Sequence, residues 1–146
     1  MSEAITSFNL IIQLSKEGKL GEYYDKDLNC LCHFKYPKLF IRNTKNVYIN
    51  FIEESKLHEI AQSKRVTYSA IRRKLSRKRI PVKINELRDY FGTYLLNHGI
   101  LEQEVNLLQG RIPISVFVRH YWSPKLKELS NKIISLTKDL EKTLLS

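Results

Sequence analysis

Three observations predict an α+β domain, mostly α-helical, with a small antiparallel β-sheet near its N-terminal half. Apolar residues recur at helical spacing before residue 17 and again after residue 53. Between them, residues 28–52 are rich in aromatic, β-branched and cysteine side chains broken by turn residues. The order is therefore helix, small sheet, then helices.

Ser7 to Lys16 reads as a helix, with Phe8, Ile11, Ile12 and Leu14 on its apolar face and Gly18 as its stop. Glu17 to Asp27 is polar and carries no predicted element. Leu28–Phe34 reads as a strand in which Cys30 and Cys32 point to one face. Leu39–Arg42 and Val47–Ile52 flank Asn43-Thr44-Lys45-Asn46, which predicts a β-hairpin with Lys45 at its tip. Glu53 to Gln62 is a helix with Leu57 and Ile60 inward. Thr67 is suited to cap the next helix, which carries Ile71 and Leu75 and stops before Pro81.

Ile84–Asn97 is the next helix. Ile84, Leu87, Phe91, Tyr94 and Leu95 share one face, and Arg88 lies in or beside it. Asn85 is placed to be its N-cap, and Gly99 ends it. A short helix, Glu102–Leu108, precedes Gln109-Gly110-Arg111-Ile112-Pro113, and Ile114–Tyr121 reads as a turn of helix. Ser123 as N-cap and Pro124 at the first position then open a long helix striped by Leu126, Leu129, Ile133, Leu136 and Leu140.

At 146 residues and 42% hydrophobic composition, residues 1–146 are expected to form a single domain with its own core. No apolar run reaches the length of a membrane span, and Met1 to Leu10 lacks the pattern of a secretory signal. The expected location is intracellular. The net charge of +10 favours a polyanionic partner. Every charged residue from Lys64 to Lys83 is basic: Lys64, Arg65, Arg72, Arg73, Lys74, Arg77, Lys78, Arg79 and Lys83. Such a run is either a solvated face or a phosphate-binding surface; the absence of an interleaved acid favours the second. Cys30, Cys32 and His33 lack the further ligands of a tetrahedral metal site, so two reduced thiols and no metal are expected.

Two arginines stand out chemically. Burial of a guanidinium is costly unless it is paired or used, so Arg88 on an apolar helix face is either a snorkelling structural residue or a functional one. Arg111 lies in a Gly-Arg-Ile-Pro turn suited equally to a loop cation. Tyr121, one of eight tyrosines, could by itself be a packed aromatic. Trp122 beside it and His120 before it read as packing.

The segment INELRDYFGTYLLNHGI resembles the tyrosine recombinase, or phage integrase, family, whose helix runs His-x-Leu-Arg-His-x-Phe-Ala-Thr. Arg88, Phe91, Thr93 and Gly99 fall on the family's Arg, Phe, Thr and Gly. EVNLLQGRIPISVFVRHY is similar to the family's stretch from Leu-Gly-His to its nucleophile. Arg111 stands in place of that His, as in integrases of spindle-shaped archaeal viruses, and Tyr121 follows ten residues later. The hairpin RNTKNVYINFI resembles the one that carries the family's lysine. The likeness is strongest from Pro81 to Trp122.

The resemblance implies the recombinase catalytic-domain fold and a site-specific integrase that works through a 3′-phosphotyrosyl intermediate. Tyr121 would be the nucleophile, Arg88 and Arg111 the phosphate-binding arginines and Lys45 the acid. Asn85 stands at the family's His and Lys19 at its first Arg. Double-stranded DNA is the implied partner, with self-association into a tetramer through the C-terminal helix. Neither metal, ATP nor another cofactor is implied. A core-binding domain that normally precedes the catalytic one is not seen in these residues. Origin in an archaeal virus or mobile element, and a place in the host cytoplasm on DNA, follow from the same likeness. A catalytically degenerate DNA-binding relative is the alternative, given Lys19 and Asn85. An unrelated RNA-binding protein leaves the spacing of Arg88, Arg111 and Tyr121 unexplained.

Overall fold

A computed structural model of the chain describes residues 2–42, 45–113, 115–117 and 125–146. Helix α1, Ser2–Lys16, begins five residues before the predicted start. Ile5 continues the spacing of Phe8 and Ile12, and Ser7 is buried against Tyr23, with 3.0 Å between the two hydroxyl oxygens. The polar stretch after it holds two short elements that the sequence did not reveal, α2 (Leu20–Tyr23) and β1 (Tyr24–Asp25).

β2, Cys30–Cys32, is shorter than the predicted strand because His33–Lys35 turns into a 3-10 helix. It is the central strand of an antiparallel sheet ordered β1-β2-β3, where β3 is Ile49–Phe51. Leu31 pairs with Tyr24 on one side and with Asn50 on the other. Both faces of β2 are covered, and they serve different cores. Cys30 joins Ile49, Phe51, Leu95, Leu107 and Phe117, whereas Leu31 joins Ile11, Tyr23, Phe40 and Leu57. Both thiols are free and buried.

The predicted hairpin is corrected. Leu39–Arg42 does not form a strand: α3, Pro37–Phe40, is one helical turn, with Pro37 in the opening position that its fixed φ favours. What remains is a narrow loop closed by one bridge, Ile41 to Asn46, and by Arg42 N–H donating to the Lys45 carbonyl at 3.0 Å. β3 takes its partner from β2 and not from the segment just before it.

The helical half follows the sequence closely. α4 is Glu54–Ala61 with Leu57 buried. α5, Tyr68–Arg77, is capped by Thr67, whose hydroxyl accepts the Ala70 N–H at 3.2 Å. No residue of α5 is fully buried. α6 is Ile84–Asn97 and α7 is Glu102–Leu108. Residues 115–117 make a helical turn that seats Phe117 in the core. α8, Lys125–Leu145, buries Leu126, Leu129, Ser130 and Ile133 against its own domain. Tyr94 Oη donates to the Leu136 carbonyl at 3.2 Å, and Lys138 pairs with Glu53 at 2.7 Å. The expected cap at Ser123 and Pro124 lies outside the described residues. None of the described helices is long and apolar enough to cross a membrane.

Candidate active site

Ile84 and Leu95 pin α6 to the core, and Phe91 and Tyr94 pack partly against it. Two expectations for this helix are corrected. Leu87 is 48% exposed, because the apolar face turns away from it after the first turn. Asn85 lies inside the first turn and is exposed; the N-cap is Lys83, without a side-chain cap bond.

Arg88 is part-buried on the next turn. Its guanidinium Nη2 donates to the main-chain carbonyl of Gln109. In return, Gln109 Nε2 donates to the Arg88 carbonyl at 3.2 Å. Gln109 is the C-cap of α7, so Arg88 places a cation where a helix terminus leaves carbonyls unsatisfied.

The chain then turns sharply. Gly110 has φ +69, and Arg111 N–H donates back to the Asn106 carbonyl at 2.8 Å, closing α7 with a Schellman motif. The glycine is required twice over. A Cβ there would lie 3.0 Å from both the Asn46 carbonyl carbon and Val47 Cγ2. This close approach lets Asn46 N–H donate to the Gly110 carbonyl at 3.0 Å. Two residues on in each segment, Tyr48 Oη donates to the Ile112 carbonyl at 3.0 Å, and the Tyr48 ring stacks on Phe117 with centroids 4.7 Å apart.

The structure thus brings three of the six candidates to one junction through hydrogen bonds that all end on main-chain carbonyls. Arg88 is held to Gln109, Gly110 to Asn46, and Arg111 and Lys45 are the adjoining residues. Both Arg111 and Lys45 are exposed. Lys19 is not part of this junction. It is exposed on the turn after α1, where its N–H donates to the Leu14 carbonyl at 2.8 Å, beside the other core cluster. Tyr121, with His120 and Trp122, lies outside the described residues. Sequence reasoning missed Gln109, Gly92 and Asn46. A glycine inside a helical pattern is the one available signal, since it often marks close backbone approach.

The nine cations between Lys64 and Lys83 are all exposed. Lys83 pairs with Glu86 at 3.4 Å, and Arg65 donates to Gln13 Oε1 at 2.9 Å. Among the described residues, the eight other than Lys83 have no acidic partner within ion-pair distance. The segment is tethered at its start, where Asn9 exchanges two hydrogen bonds of 2.9 Å with the Val66 main chain. At its end Arg79 adopts φ +52, and Ile80 N–H reaches back to the Leu75 carbonyl at 3.1 Å.

A second polar group is buried in the α1 core. His33 Nδ1 hydrogen-bonds Tyr23 Oη at 2.7 Å, and Tyr23 also contacts Ser7. Desolvation lowers the His33 pKa to about 3 and raises that of Tyr23 above the usual phenol range. Both read as packing groups of the α1 core, where each ring contacts Phe40.

No curated protein and no solved structure matches the chain. The profile of the archaeal phage integrases matches residues 13–132, a span that includes Lys45, the basic segment, Arg88, Arg111 and Tyr121. With most of its length inside that match, the chain belongs to the archaeal phage integrase family.

Proposed function

We propose that this chain is the strand-cleaving and strand-joining domain of a tyrosine-type DNA integrase. Family membership supports integrase or recombinase activity, and with it a DNA partner and a viral or mobile-element setting. The finer reading rests on one observation: the Arg88 guanidinium bonds the end of α7 at Gln109, the loop carrying Lys45 bonds Gly110 through Asn46, and Arg111 follows on the same turn, ten residues before Tyr121.

In this reading Tyr121 Oη attacks a backbone phosphorus. The P–O5′ bond breaks, and the 3′ phosphate becomes esterified to tyrosine. The phenolic proton leaves to solvent, and the Lys45 ammonium supplies one to the departing 5′ oxygen. Charge accumulates on the non-bridging oxygens in the transition state. Arg88 and Arg111 stabilise it with fixed N–H forks. The bond energy is retained in the phosphotyrosine, so attack by a 5′ hydroxyl reverses the steps and rejoins the strand. The exposed cations of α5 and its flanks bind duplex phosphates. Self-association on DNA belongs to the same reading. α8 commits its first turns to its own core, so the end carrying Leu144 and Leu145 is what it offers a second copy.

Asn85 and Lys19 favour a second reading, a DNA-binding relative without chemistry, because neither supplies the group the family uses there. A nicked suicide duplex decides between them. A covalent protein–DNA band on a denaturing gel that is lost in Tyr121→Phe supports the enzyme. Salt-sensitive duplex binding with no band in either protein supports the second reading.

A further inference from the structure

We infer that Gln109 is a positioning residue that holds the Arg88 guanidinium against the Arg111 turn; this rests on the catalytic reading above. Three observations carry it. The first is reciprocity. Arg88 donates to the Gln109 carbonyl, and the Gln109 amide donates to the Arg88 carbonyl at 3.2 Å, so α6 and the end of α7 are cross-linked twice through the same two residues.

The second is Gly92. Glycine weakens a helix interior, yet one lies one turn after Arg88 in α6 and is buried. A Cβ at this position would overlap Gln109 Nε2 and lie 3.5 Å from Val105 Cγ1. The missing side chain is the seat of the Gln109 amide. The helix gives up local stability at the one place where Gln109 must approach its backbone.

The third is the cost of keeping an amide there. Gln109 Oε1 is buried and has no hydrogen-bond partner among the described residues. Leucine or methionine would fill the same space without stranding an acceptor. The feature gained from glutamine is its N–H bond to Arg88. Arg88 is thereby fixed at its carbonyl by the amide and at its guanidinium by the turn. The guanidinium keeps one orientation relative to Arg111, two residues from its anchor. Phosphoryl-transfer rates depend steeply on such placement, whereas duplex affinity is distributed over many cations.

The test uses Gln109→Met, which keeps length and removes the donor, and Gly92→Ala, which displaces the amide. Single-turnover cleavage of the suicide duplex at saturating protein is expected to fall about 100-fold in each. Duplex affinity should stay within about 2-fold of wild type, so the loss lies in the chemical step. In a Gln109→Ala background, which empties the seat, Gly92→Ala should add no further loss. Wild-type cleavage in Gln109→Met, or cleavage and affinity falling in proportion, would overturn the inference. If wild-type protein forms no covalent complex, the catalytic reading fails by itself. The Arg88 Nε–Hε resonance then decides positioning. A signal distinct from free arginine in the wild type that collapses toward it in Gln109→Met supports the inference; an unchanged signal overturns it.

Discussion

The Asn46 N–H donates to the Gly110 carbonyl at 3.0 Å, closing the loop that carries Lys45 onto the turn that carries Arg111. The bond is made beside a glycine with φ +69, where a Cβ would be crowded at 3.0 Å by the Asn46 carbonyl carbon and Val47 Cγ2. Gly110→Ala is therefore expected to destabilise the fold by about 2 kcal/mol, from left-handed backbone strain and crowding. Thermal unfolding would measure this. At a temperature where the variant is folded, suicide-substrate cleavage should fall more than duplex binding does.

Charge removal on α5 should leave stability intact and change salt dependence. Arg72, Arg73 and Arg77 are exposed and have no acidic partner among the described residues. The triple alanine variant should unfold at the wild-type temperature. Its slope of log affinity against log salt should shrink by about 0.9 for each phosphate that is no longer neutralised. An unchanged slope in a binding titration would move the DNA surface elsewhere.

Acid should destabilise the α1 core through His33. The ring is neutral when folded, with its pKa lowered by burial to about 3 from a usual 6.5. Between those values the unfolded chain binds the extra proton. The contribution of His33 is thus fully present above pH 6.5 and is lost as pH falls toward 3, at up to about 1.4 kcal/mol per pH unit. The neighbouring Tyr23 and Tyr36 phenols are pushed up by burial and stay neutral in this window, whereas the Cys32 thiol is lowered by its hydrogen bond with Cys30. His33→Phe, which keeps a ring in the tilted contact with Phe40 at 4.1 Å, should flatten the pH dependence of chemical denaturation between pH 6.5 and 4.

The two ends of α8 should respond oppositely to truncation. Leu129 is 2% exposed, so Leu129→Ala should cost about 2–4 kcal/mol. Leu145 is 86% exposed, so removing residues 144–146 should change monomer stability by less than about 0.5 kcal/mol. Any loss of DNA-dependent self-association on that deletion, followed by sedimentation, would assign the exposed end to the interface between copies.

What was legible in the sequence was set by local rules. α6 has its predicted bounds because the Ile84–Leu95 spacing, Pro81 and Gly99 agree. Thr67 caps α5 as its chemistry predicts. Failures occurred where a distant partner overrode the local pattern. Leu39-Phe40-Ile41 is as apolar as a strand, but Pro37 starts a helical turn and Phe40 is drawn into the core beside Tyr23 and His33. Leu87 fits the helical stripe, yet nothing covers it enough to remove it from water. The grouping of Lys45 with Arg111 could be expected from resemblance, but the bond that makes it, between Asn46 and Gly110, has no local signature. Gln109 was invisible for the same reason: its role is defined by α6, not by its neighbours in sequence.

α5 buries none of its residues, and its position is set by Asn9 gripping Val66 at one end and by the Arg79 turn at the other. Its sequence is consequently uncoupled from the folding of the rest. Substitutions at its exposed positions cost little, within about 0.5 kcal/mol each, so long as the Thr67 cap remains. The core and the arginine junction place no demand on those positions, so it is the duplex they are proposed to bind that constrains them.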